Sequence, residues 1–102
     1  MTNELATTDN DRARPGLLTV TVYDLDAGGD PITVSRGKGV PVRQVIEAVY
    51  KELNTHPAPG DRLLCQSTGE SVGAFADMHL GQYAEKHCPD LVWTFSRDTG
   101  GA

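Results

Sequence analysis

A chain of 102 residues with a net charge of −5, 38% hydrophobic and 23% charged residues has the composition of one ordinary globular domain. The acidic balance offers no basic stripe to displace phosphate counterions, which argues against non-specific binding to nucleic acid or to an anionic membrane. No apolar run approaches the roughly 20 residues that span a bilayer. Met1-Thr2-Asn3-Glu4-Leu5 also lacks the basic start and apolar centre of a secretory signal, so a cytoplasmic protein is expected.

Residues 1–15 read as a disordered tail of Thr, Asn, Asp and Arg, closed by Pro15-Gly16. A domain over 16–98 and a flexible end over 99–102 complete the expected organisation. Leu17 to Asp24 alternates with period two, placing Leu18, Val20 and Val22 on one face and Leu17, Thr19, Thr21 and Tyr23 on the other. Gly28-Gly29-Asp30 signals a turn, and Ile32-Thr33-Val34-Ser35 alternates again, so the two segments predict an antiparallel hairpin.

After the loop Arg36-Gly37-Lys38-Gly39 the period changes. Val42, Val45, Ile46, Val49, Tyr50 and Leu53 form the apolar stripe of an amphipathic helix over 41–53. Pro41 suits its start, Asn54 its C-terminal cap, and Pro57, Pro59 and Gly60 prevent its continuation. Arg62 to Gln66 predicts a short strand, Ser67 to Ser71 a turn, and Val72 the start of a brief further strand. Leu80 to Lys86 predicts one helical turn, and Leu91 to Ser96 a last strand with Leu91, Trp93 and Phe95 on one face. A sheet with one buried face needs a cover, and the helix is the only long one available. The expected class is α+β, a four- to five-stranded mixed sheet under one main helix in the order ββαββ with a short helical turn.

Three stretches carry a resemblance. Asp61-Arg62-Leu63-Leu64-Cys65 looks like the third strand of the ubiquitin family. Leu80-Gly81-Gln82-Tyr83 is similar to that family's Leu-Ser-Asp-Tyr turn, and Leu91 to Ser96 followed by a glycine pair resembles its last strand and tail. The chain from 17 to 101 therefore resembles a ubiquitin-like β-grasp protein. The resemblance implies that the Tyr83 hydroxyl ties its loop to nearby backbone, and that Leu64 and Thr94, extended by Val92, line a partner-binding surface on the outer sheet face.

It also implies a use for Gly100-Gly101. Glycine has no Cβ and threads a narrow channel, so a terminal glycine carboxylate can reach ATP and leave an open acyl group for a nucleophile. The implied function is a protein modifier or sulfur carrier, not itself an enzyme, whose partners are a processing peptidase that removes Ala102 and an adenylating activating enzyme. The alternative is a non-conjugated adaptor acting by surface contact, as in bacterial secretion systems. Two features depart from the family: Ser96-Arg97-Asp98-Thr99 replaces the basic residues before the diglycine, and Ala102 follows it. Arginine outnumbers lysine and Gly and Ala are frequent, which points to a GC-rich bacterial source.

Other groups invite chemistry and are given simpler readings. His79, His87 and Cys88 lack the ligand number and spacing of a zinc site and the third group of a Cys-His nucleophile. Asp24, Asp26 and Asp30 depart from EF-hand spacing and suit turn chemistry. Gly37-Lys38-Gly39 lacks the context of a phosphate-binding loop. Lys38, Lys51 and Lys86 are acceptors only if conjugate chains form. Cys65 and Cys88 have no CxxC spacing and are expected as reduced thiols, Cys65 as a small core residue. No metal or cofactor is expected, and a monomer is.

Overall fold

The computed structural model describes residues 16–97. The elements in chain order are β1 (Leu17–Asp24), β2 (Ile32–Gly37), α1 (Val42–Leu53), β3 (Asp61–Cys65), a 3-10 turn (Val72–Phe75), α2 (Leu80–Lys86) and β4 (Val92–Arg97). The four strands form one mixed sheet in the order β2-β1-β4-β3. β1 pairs antiparallel with β2 and parallel with β4, and β3 pairs antiparallel with β4. This α+β arrangement is compatible with a β-grasp.

The predicted hairpin forms as its turn chemistry requires. Asp24 Oδ1 accepts the backbone N–H groups of Asp26 and Ala27, and Gly28 N–H donates to the Asp24 carbonyl. Gly28 and Gly29 then take φ of 74° and 82°, values a side chain would resist. Of the aspartates in this segment, Asp24 closes the turn, while the Asp26 carboxylate faces the end of β4. Alternation in β1 puts Val20 and Val22 wholly inside while Thr19 is exposed and hydrogen-bonds Ser35 across the hairpin.

α1 follows the predicted stripe. Val42, Val45, Val49 and Tyr50 are buried, joined by Ala48, while Ile46 and Leu53 pack at the margin. Pro41 precedes the first turn in an extended conformation, and Asn54 closes the last in the left-handed region at φ 57°. Its N–H donates to the Lys51 carbonyl and that of Thr55 to the Tyr50 carbonyl. One core joins this helix to Val20, Val22, Leu63, Leu80, Tyr83, Trp93 and Phe95.

Four expectations are corrected. Val72 begins a 3-10 turn, and the only trace of a further strand there is an isolated bridge between Leu64 and Ser71, so the described sheet has four strands. Gly73 and Ala74 supply nothing that a ladder would bury. Leu91 lies just before β4 with φ 52°, a left-handed leucine held by its buried side chain and by hydrogen bonds to Cys88 and Thr21. The Tyr83 hydroxyl meets a side chain, not backbone: it accepts the Trp93 indole N–H at 3.1 Å in the core.

The fourth correction concerns the cysteines. Cys65 ends β3 opposite Trp93, Cys88 follows α2, and the two form a disulfide with Cα atoms 6.1 Å apart. Both are buried. A pairing across 23 residues and two separate elements leaves no spacing signature, and it removes both thiols from the reduced state expected of them.

Candidate functional site

Two features gather the candidate residues: the sheet face turned away from the helices, and the end of β4. On the first, register aligns Leu64 with Thr94 and Thr94 with Tyr23, a row across β3, β4 and β1. Val92 lies beside Thr21 in the next row. Leu64, Val92, Thr94 and Thr21 are half-buried, and Tyr23 is 39% exposed. The three residues expected to form a partner-binding surface therefore do share one face. Tyr23, which the alternation of β1 puts on this face, adds an aromatic ring to the patch.

The second feature was not legible in the sequence. β4 ends at Arg97, whose guanidinium reaches back over the domain. Its Nε donates to Asp61 Oδ1 at 2.7 Å and Nη2 to Asp61 Oδ2 at 3.1 Å, a forked charge-assisted pair. Nη1 donates to Thr55 Oγ1 and Nη2 also to the His56 carbonyl. The backbone N–H of Arg97 donates to Asp26 Oδ2 at 2.6 Å, so the β1–β2 turn holds the same residue from the other side. The guanidinium lies 5.7 Å from the centre of the Phe95 ring.

Asp61 is the hub of this cluster. Besides Arg97, its Oδ2 accepts the Tyr50 hydroxyl at 2.6 Å and the Ala58 N–H at 2.8 Å. The Arg97 hydrogen bonds hold its carboxyl well below the usual carboxylate range; burial opposes this, and the Tyr50 and Ala58 bonds reinforce it. The Tyr50 hydroxyl is pushed up to about 12, first by burial and then by its bond to the Asp61 carboxylate. Arg97 is in turn held more firmly protonated by Asp61. Tyr50 and Arg97 stand 11 and 36 residues from Asp61 along the chain, and Asp26 stands 71 from Arg97.

Gly100, Gly101 and Ala102 lie outside the described residues, as do the N-terminal tail and Asp98. Among the described residues no three His, Cys, Asp or Glu side chains are grouped to hold a metal ion. His87 stacks on Phe75, ring centres 4.1 Å apart, with Nδ1 3.8 Å from Glu70, while Cys88 is in the disulfide. His79 forms an isolated bridge with Pro41. Lys38, Lys51 and Lys86 are exposed. No described helix is long and apolar enough to cross a membrane.

A scan against models of known protein families finds no match, and no curated protein matches the sequence. The functional reading therefore rests on the residues and their geometry.

Proposed function

We propose that this chain is a ubiquitin-like β-grasp protein, a modifier or sulfur carrier activated at Gly101 after cleavage that removes Ala102. The observation that carries the reading is the end of β4. A central strand, parallel to β1, delivers Arg97 to a network of hydrogen bonds at the domain surface, and Asp98-Thr99-Gly100-Gly101 follows directly in sequence. A carrier needs this combination of a fixed base and a side-chain-free tip, because an adenylating enzyme must find the glycine carboxylate at a defined distance from the domain it grips.

The outer-face row of Leu64, Thr94 and Tyr23, with Val92 beside it, supplies a grip of mixed apolar and hydroxyl character. It also supports the second reading, an adaptor that binds through this face and leaves its tail uncleaved. Both readings need protein partners and no cofactor of the chain's own. An ATP-supplied setting implies the cytoplasm, where disulfides are uncommon; Cys65 and Cys88, at 1% and 0% exposure, are shielded from reductants.

Intact-mass measurement of the protein recovered from its own cells separates the readings. Loss of Ala102, a sulfur in place of a terminal oxygen, or conjugates abolished by Gly101→Ala is the expected result. A chain that keeps Ala102 and forms no conjugates under several growth conditions leaves the adaptor.

A further inference from the structure

We propose that Arg97 is a positioning residue, held internally by Asp61, Thr55, His56 and Asp26 to fix the point from which the C-terminal tail departs, and withdrawn from charge recognition by any enzyme acting on that tail. The tail-presentation half rests on the modifier or carrier reading; the anchoring half does not.

The argument begins with donor supply. A guanidinium has five N–H donors and no acceptor. Nε, Nη1 and Nη2 of Arg97 are all engaged by acceptors of its own chain, Nη2 by two of them. Its principal partner is well shielded: the Asp61 side chain is 7% exposed against 32% for Arg97. One Nη1 N–H is left for a partner, so a carboxylate approaching Arg97 in a forked pair would have to break the Asp61 pair and leave that shielded aspartate uncompensated, which is costly.

The geometry also ties together four separate segments. Asp26 belongs to the β1–β2 turn, Thr55 and His56 to the link after α1, Asp61 to the start of β3, and Arg97 to the end of β4. Tyr50 from α1 and the Ala58 N–H orient the carboxylate that holds the arginine. Such an arrangement specifies orientation and not only attraction, because a forked pair fixes the guanidinium plane. A lysine would carry the same charge without that plane.

Trypsin tests the anchor in the full chain: cleavage after Arg97 requires the end of β4 to open, so its rate follows the population of that open form. It is read against cleavage after Lys51, an equal rise at both sites reporting general unfolding and overturning the anchor. The readout is the species ending at Arg97, by mass, with Trp93 fluorescence confirming that each variant is folded. Asp61→Asn should raise the cleavage rate by about tenfold or more, the ratio one charged hydrogen bond is worth. Tyr50→Phe, a milder change, should raise it by roughly fivefold. Wild-type cleavage as fast as that of folded Asp61→Asn overturns the anchor.

Processing in the protein's own cells tests the second half. Asp61→Asn leaves the charge of Arg97 in place and removes the forked ion pair that fixes its plane, so under the proposal the processed or conjugated fraction falls towards that of Arg97→Ala. The double variant should be no worse than either single one. Full processing of Asp61→Asn alongside failure of Arg97→Ala means that a partner reads the charge, and overturns the proposal. If wild type itself shows no processing, the carrier reading and the tail-presentation role fall together, and the trypsin result alone decides the anchor.

Discussion

Asp61 is one of 14 acidic residues in the chain and the one on which the Arg97 network converges. It is the acceptor for an arginine, a tyrosine and a backbone amide at once. Because its folded-state proton affinity is depressed, the stability it adds is fully present above its ordinary value of 3.8 and is lost as pH falls below that value. Asp61→Asn should cost about 2 kcal/mol near neutral pH, and denaturant unfolding at pH 7 and pH 3 should show that difference shrink on acidification. Tyr50 has the opposite sign. Raised to about 12, it adds stability below its ordinary 10.0 that is lost as pH climbs through the folded value. Tyr83, buried beside Trp93, is also raised to about 12. Ultraviolet titration should therefore show two of the three tyrosines ionising about two pH units later than a free tyrosine.

At the scale of the element, α1 owes its place to a stripe of valines and its end to one residue. Val49 is fully buried against the sheet, and Val49→Ala should cost roughly 2–3 kcal/mol through lost transfer energy and a partly unfilled cavity. Asn54 sits exposed at φ 57°, where a residue whose side chain cannot help itself locally is strained. Asn54→Ala should lower stability by about 1 kcal/mol, and Asn54→Gly should not; thermal unfolding of the three proteins tests this cap without touching the core. β4 depends on its neighbours in a different way. It lies between β1 and β3, so Trp93 and Phe95 are covered by helix and sheet alike, and Leu91 tolerates a left-handed backbone because its side chain is already buried.

For the whole molecule, the Cys65–Cys88 bond and the Arg97 network act on opposite ends of the β3–β4 pair. The bond joins the end of β3 to the segment before β4, and the arginine joins the end of β4 to the start of β3. Reduction, or the Cys65→Ala/Cys88→Ala pair, should lower unfolding free energy by roughly 2–4 kcal/mol, the usual worth of closing a loop of this size. Alkylation followed by mass measurement checks the state directly: the folded oxidised protein should take up no label, and the reduced unfolded chain two. The outer face should behave differently. Leu64→Asp, on a half-buried site away from the core, should change stability little and weaken partner capture if that face is the grip.

Periodicity in the sequence was enough to determine the hairpin, the long helix, the short strand before the turn and the final strand, because each is a local pattern of alternating or helically spaced side chains. It also put Val92 and Thr94 on one face, since alternation along a strand is itself local, whereas Leu64 joined them through the resemblance and is aligned with Thr94 by the β3–β4 register. Tertiary structure alone decided the rest. Val72 turned into a 3-10 segment because no strand was positioned to pair beyond a single bridge, and Tyr83 found Trp93 because packing brought an indole N–H to its hydroxyl. The disulfide and the hold on Arg97 join residues separated by 23, 36 and 71 positions. Contacts at such separations are set by how elements cross in space, and neither composition nor spacing along the chain encodes them in a readable form.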